Sequence, residues 1–411
     1  MLTLGPRRLL WRFAFIGILF FDLITGYMIA EGISREGGIF SPSQLGRFII
    51  LAYLLTLLFE QRIAVLTFIF GIAPFLVIEL SYGLVHEQTG GLLYGLISIA
   101  KVAALFIPFL ITLDDLDRSE IAHSFKLGLI AMSVVIIVSL LADIGKPTYG
   151  SGGFGTKSYF PSGNDIGAYL GSGTLMIAVA RYYRLLQTSL PTIGLLVLGL
   201  VCIGSRASLL FCAITLLFLA WHSSIRWLIL LALTAALWQF YVMFIDIFNV
   251  IGEIMIRRYV EADGDLVRFI VSGRNEFIQK AFEQFTADGS VIRFLIGQGI
   301  FIGPQATDSV RVVDFLEADG FDLFFMFGLL GLAAYGLLWA SFWSRCHQNR
   351  WLLLPIGLLL AHSALAGHVL FSGLFLQTVL ALVVLTQIPQ GCTIPAIKTF
   401  DRNSQDHKLQ V

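Results

Sequence analysis

Charge is scarce in this sequence. Asp, Glu, Lys and Arg supply 13% of its 411 residues, against about a quarter in a soluble domain. Apolar residues make up 57% and the mean hydropathy is +0.84, a balance that a water-soluble body of this size does not have. Net charge is lacking too, since 27 basic residues offset 27 acidic ones. Without a cationic excess, nucleic acid is not an expected partner. Cysteine is sparse. Cys202, Cys212, Cys346 and Cys392 show no metal-ligand or disulfide spacing, and no metal or cofactor is expected. The short alternating segments of a membrane barrel are missing as well. The apolar runs are near twenty residues, the length of a helix that crosses a bilayer. The expected class is an all-α polytopic membrane protein. Arg7, Arg8 and Arg12 ahead of the first apolar run resemble the start of a signal peptide. No small-residue cleavage site follows, so the stretch reads as a first spanning helix.

Spans are expected at 11–30, 45–59, 63–82, 92–113, 125–143, 163–180, 190–204, 207–221, 227–246, 322–341, 351–370 and 373–388, twelve in all. An even count puts both termini on one side. With the N-terminus inside, fourteen Lys and Arg fall in the cytoplasm and only Arg35, Arg47, Lys146 and Lys157 in the short outer loops, as the positive-inside rule requires. The expected organisation is therefore spans one to nine over 1–246, a large outer loop over 247–321, three more spans over 322–388, and a cytoplasmic tail over 389–411.

The outer loop holds most of the chemistry-bearing residues. It carries seven basic and eleven acidic side chains, and a charged module between spans is where a site is expected. Within it, Phe277, Ile278, Ala281, Phe282 and Phe285 fall on one face of a helix that lies across the membrane surface or covers a cavity. Arg274 stands in that helix's first turn, where a cation slightly opposes the dipole. Gly297-Gln-Gly299-Ile-Phe-Ile-Gly303-Pro304 is a turn-rich break. Glu317, Asp319 and Asp322 gather where span ten begins, either complementing the helix dipole or serving as catalytic carboxylates.

Other candidates lie outside that loop. The Gly-rich stretch 149–165 is a flexible connector or a donor set for sugar or phosphate made of Lys157, Asn164 and Asp165. Arg206 opens span eight beside Gly204 and Ser205. There it snorkels to the interface, or clamps a phosphate with the help of helix N–H groups. Glu79 and Lys101 lie inside spans, where pairing with each other would offset two buried charges. His362 and His368, six residues apart, share no helix face and so make no metal pair.

Taken together, Ser205-Arg206-Ala-Ser-Leu-Leu, Ser272-Gly-Arg274, Leu295-Ile-Gly297-Gln-Gly299, Gly155-Thr-Lys157-Ser-Tyr-Phe160 with Asn164-Asp165, and Gly367-His368 resemble the O-antigen polymerase and O-antigen ligase superfamily over about residues 145–388. The resemblance implies a GT-C-like bundle in the bacterial inner membrane with its active site in the periplasmic loop. The ligase branch carries a catalytic His in that loop. Residues 247–321 contain no His, which favours a Wzy-type polymerase over a ligase that transfers glycan to lipid A-core. On that resemblance, Arg206 and Arg274 stabilise the leaving undecaprenyl diphosphate, and Glu317, Asp319 or Asp322 acts as base. Lys157, Asn164, Arg257, Arg258 and His368 contact substrate. A lipid-linked oligosaccharide, the bilayer and a chain-length regulator are the implied partners. A flippase of lipid-linked sugars is the alternative from another class, and it would draw instead on Lys101 and Glu79.

Overall fold

The computed structural model describes residues 4–33, 41–85, 89–148, 155–222, 274–286, 289–300, 318–346, 349–367 and 369–388. The described residues are mostly helical, and six helices are long and apolar enough to cross a membrane. The first crossing is built from α1 (Leu4–Arg12), a π turn (Phe13–Gly17) and α2 (Ile18–Ala30). There follow α3 (Pro42–Phe59), α4 (Arg62–Val85), α5 (Thr89–Ala104), α6 (Ile107–Leu110) and α7 (Asp115–Leu141). A small hairpin comes next, β1 (Lys146–Pro147) against β2 (Thr156–Ser158), antiparallel with Lys146 opposite Ser158. After it run α8 (Gly163–Tyr182), α9 (Leu190–Ile203) and α10 (Arg206–Trp221). The later elements are α11 (Arg274–Thr286), α12 (Val291–Ile296), α13 (Asp319–Arg345), α14 (Leu353–Ala366) and α15 (Gly373–Gln387).

Local chemistry explains the boundaries. Ser41, Ser162, Ser189 and Ser205 each accept a backbone N–H from the first turn of the helix they precede, a capping role for which Ser is suited. Gly204 ends α9 in the left-handed conformation. The expected spans seven and eight are thus separate helices joined by Gly204-Ser205.

Helix α8 forms the centre. Every residue from Ile166 to Ala180 is buried, against α7, α9, α10, α14 and α15. Small residues make this possible. A Cβ on Gly171 would sit 2.5 Å from the Phe211 ring, and one on Gly173 would sit 2.6 Å from Leu129. Because α8 faces protein on all sides, it does not need the apolarity of a lipid-facing span, and it is not among the six. Large apolar side chains on the outer helices do face outward, including Phe20, Ile63, Phe70, Leu141 and Trp343. A belt of that kind on a monomer marks a lipid-facing surface.

Several boundaries differ from those expected. Helix α7 begins at Asp115, ten residues before the expected span at 125. Its polar first turns pair with the N-terminal arginines: Arg7 with Asp114 at 3.0 Å, Arg8 with Glu120 at 3.1 Å, and Arg12 with Glu120 at 3.7 Å. Trp11 Nε1 donates to Asp117 at 2.8 Å. The run expected as one span over 92–113 is a single crossing candidate over Leu92–Leu110, made of α5 and the short α6 with Pro108 early in it. The span expected from 351 to 370 ends at Ala366, where Gly367 turns the chain. Four further apolar helices, α9, α10, Arg350–Ala366 and α15, are shorter than a full crossing. The expected span at 227–246 and the tail over 389–411 lie outside the described residues.

Candidate functional site

One end of the bundle carries the β1–β2 hairpin, the Gly204-Ser205 turn and the starts of α8 and α10. At this loop end, the hairpin packs on the turn between α9 and α10. Gly155 lies so close to the Ile203 carbonyl and Gly204 that no side chain fits there, and Thr148 Oγ1 donates to the Ile203 carbonyl. The hairpin is also tied to α7, since Ser139 Oγ donates to Ser158 Oγ at 2.8 Å. Arg206 follows that turn as the first residue of α10 and is exposed. Lys157 Nζ donates to the Pro161 carbonyl at 2.8 Å. Asn164 and Asp165 stand in the first turn of α8, capped by Ser162, whose hydroxyl also donates to Asp165 at 2.9 Å. The structure therefore brings the turn bearing Arg206, the strand bearing Lys157 and the helix start bearing Asn164 and Asp165 to one region.

Asp319 and Asp322 lie at the same end, and both are buried. Asp319 Oδ2 accepts from Ser363 Oγ at 2.6 Å, Val369 N at 3.1 Å and Leu370 N at 3.2 Å. Asp322 Oδ2 accepts from Ala318 N at 3.2 Å, closing the first turn of α13. Asp319 thus tethers the start of α13 to the connection between α14 and α15, and both carboxylates are held by the fold. Arg274 is the first residue of α11, with its side chain outside the description. Arg257, Arg258, Glu317 and His368 lie outside the described residues.

The expected turn at 297–300 is part of the bundle. Helix α13 is broken at Phe327 (φ −132°) and Gly328 (φ 58°, ψ −145°). The carbonyls freed there are met by the chain after α12. Gln298 N donates to Met326 O at 3.1 Å, and Gly299 N donates to the same oxygen at 2.8 Å. Tyr82 Oη donates to Gly297 O at 3.0 Å, and Ile300 N donates to Glu79 Oε2 at 2.6 Å. Non-helical backbone at membrane depth requires such partners. The 294–300 segment of the loop expected over 247–321 thus packs against the break in α13, eight residues on from the start of that helix. Helix α11 lies over the same element. Ala281 and Phe285 are buried against Phe324 and Phe325, while Phe282 is 46% exposed.

The expected Glu79–Lys101 pair does not form. Glu79 is fully buried and serves the inserted turn, whereas Lys101 lines a cleft with Arg47. Arg47 Nη2 lies 3.1 Å from Asp22 Oδ1. Sequence reasoning passed over Asp22 and treated Arg47 as a loop residue. The signal was present in Asp22 lying inside an apolar run, since an ionisable residue within a span marks function or pairing. A narrow cleft joins Asp165 to His362, Gly367 and Ser372. A second cleft, against Arg47 and Lys101, shares Ser372. A cavity of about 730 Å³ lies at the opposite end between Arg181, Arg184 and His222, away from these groups. Among the described residues no three His, Cys, Asp or Glu side chains gather to hold a metal. The sequence matches no known protein-family profile and no curated protein.

Proposed function

We propose that this chain is a membrane glycosyltransferase that extends a glycan carried on a lipid diphosphate. The acceptor hydroxyl of an incoming lipid-linked repeat unit attacks the anomeric carbon of the donor. The bond to the undecaprenyl diphosphate oxygen breaks, its electron pair leaves with the diphosphate, and the hydroxyl proton passes to a carboxylate. The reading assigns the outer, periplasmic side of a bacterial inner membrane to the loop end.

The observation that carries this reading is the assembly at that end. Within an otherwise apolar bundle, the turn before Arg206, the hairpin bearing Lys157 and the helix start bearing Asn164 and Asp165 come together. A lipid diphosphate presents its head at such a level and its sugar to water. Arg206, exposed at a helix start, suits a leaving diphosphate because guanidinium binds phosphate through two N–H groups. Arg274 joins it in this scheme. Asp319 and Asp322 already accept structural hydrogen bonds, so the scheme gives the base role to Glu317.

A transporter of lipid-linked sugars is favoured by two specific observations. The Asp22–Arg47 ion pair lies within spans, and α13 is discontinuous, a device found in transporters. Purified protein in detergent, given undecaprenyl-diphosphate-linked repeat units, separates the two. A product ladder rising by one repeat, reduced ~10²-fold or more by Arg206→Ala, supports the polymerase. No ladder, but transfer to an added lipid A-core acceptor, supports the ligase. No transfer at all, but movement of the lipid-linked sugar across a proteoliposome bilayer, replaces the enzyme with the transporter.

A further inference from the structure

We propose that Arg47, Lys101 and the N-terminus of α15 form a binding site for the phosphate-bearing head of a lipid. Three independent features converge there. The first is the cleft itself, bounded by Arg47, Phe48 and Leu51 of α3, Lys101 of α5, and Ser372 and Gly373 at the start of α15. The second is unspent donor capacity. Lys101 makes no hydrogen bond or ion pair among the described residues, although it lines the cleft. Arg47 spends one nitrogen on Asp22 at 3.1 Å, while its buried Nε has no acceptor among the described residues. The third is the helix start. Ser372 precedes α15 without capping it through its side chain, so the N–H groups of the first turn receive no side-chain oxygen. Free N–H donors at a helix N-terminus favour an anion, and two cations beside them add to that preference.

The glycine at the helix start has a specific purpose in this arrangement. A Cβ on Gly373 would overlap the Arg47 guanidinium, with Cζ only 2.5 Å away. Its absence allows the guanidinium to lie directly on the first turn of α15.

The location selects a lipid over a soluble phosphate. Arg47 is five residues into α3 from Pro42, about 7 Å along the helix axis, and the neighbouring Leu45, Phe48 and Ile49 are exposed apolar side chains on the same helix. A headgroup can approach sideways from the bilayer with its chain lying along that face. The cleft holds about 40 Å³, room for a few waters at most. The phosphate therefore sits at the mouth, with Lys101 reaching toward it. The two local carboxylates each have a partner, Asp22 in Arg47 and Asp165 in Ser162, and they balance the two cations in charge, so the preference for a phosphate rests on the N–H donors of Lys101 and Arg47 that no acceptor among the described residues takes up. Under the glycosyltransferase reading the lipid is the polyprenyl diphosphate substrate, and only that assignment rests on the reading.

The test measures lipid retention by the full-length protein in detergent, using native mass spectrometry with undecaprenyl diphosphate, undecaprenol and phosphatidylglycerol as separate probes. Lys101→Met is the main variant, because no partner is left unpaired by it, and thermal unfolding of the same sample checks folding. Undecaprenyl diphosphate is expected to bind wild type and Lys101→Arg alike and Lys101→Met ~10-fold or more weaker. Gly373→Ala is expected to weaken binding as well, by displacing Arg47. Equal retention by wild type and a folded Lys101→Met protein overturns the site. Undecaprenol binding as tightly as the diphosphate overturns it too, because the phosphate would then play no part. Lys101-dependent retention of phosphatidylglycerol in place of the diphosphate supports a phospholipid site and removes the substrate assignment. Retention through Lys101 without any chain extension upholds the site while the polymerase reading fails.

Discussion

Replacing Gly328 by Ala tests whether the break in α13 is built into the fold. Gly328 has φ 58° and ψ −145°, a region that essentially only glycine occupies, and forcing another residue into it costs about 1–3 kcal/mol. A Cβ there would also lie 2.5 Å from the Leu295 carbonyl carbon and 2.7 Å from Ile296 N. Both neighbours are backbone atoms, so they cannot rotate away. Either α13 straightens or the 294–300 turn is pushed out. Displacing the turn loses the Gln298 and Gly299 bonds to Met326 O, the Tyr82 bond and the Glu79 bond, with Glu79 left buried. At about 0.5–1.5 kcal/mol for each neutral bond, the combined loss is about 3–5 kcal/mol. Gly336→Ala is the matched control. It lies in the same helix, a Cβ added there would meet nothing within 4 Å, and Ala in place of a helical Gly stabilises by about 0.5–1 kcal/mol. Unfolding of both variants in mixed micelles is expected to show opposite signs, with Gly328→Ala less stable and Gly336→Ala slightly more stable than wild type. Equal stabilities for the two variants would refute the inserted-turn explanation of the break.

Asp319→Asn keeps the shape but removes the charge that three donors share. A loss of about 2–4 kcal/mol is expected, read as a lower midpoint of chemical unfolding. Gly171→Val should prevent α8 and α10 from closing, because the added carbons meet the Phe211 ring; absence of folded protein after detergent extraction checks this. Glu120→Gln removes the shared partner of Arg8 and Arg12. Glu120 is buried, whereas Arg12 is about half exposed, so a modest loss of about 1 kcal/mol is expected. That loss should be smaller when the same comparison is made in high salt.

How far the residues alone could be read depended on the range of the interaction involved. The shortage of charge and the length of the apolar runs were enough to define an α-helical membrane protein, because the bilayer acts on each segment separately. The Ser caps and the Gly204-Ser205 turn were also local, and they separate α9 from α10 as expected. The placement of Arg206 at the start of a helix just after that turn followed from the same pattern.

Contacts between distant segments required the tertiary structure. Glu79 and Lys101 read as partners because two buried charges in adjacent spans lower each other's cost. Only folding shows that a backbone N–H from residue 300 reaches Glu79 first, leaving Lys101 beside Arg47 at the head of α15. Asp319 and Asp322 had the look of available bases at a helix start; Asp322 is bonded locally by Ala318 N, but the engagement of Asp319 depends on residues 363, 369 and 370, brought close by the packing of α13 against α14. The inserted turn followed from no periodicity, because what stabilises it is a break in another helix. Composition and periodicity determined the membrane class and the secondary elements; which charge meets which was decided in three dimensions, where a buried ionisable group takes the nearest donor the packed chain presents.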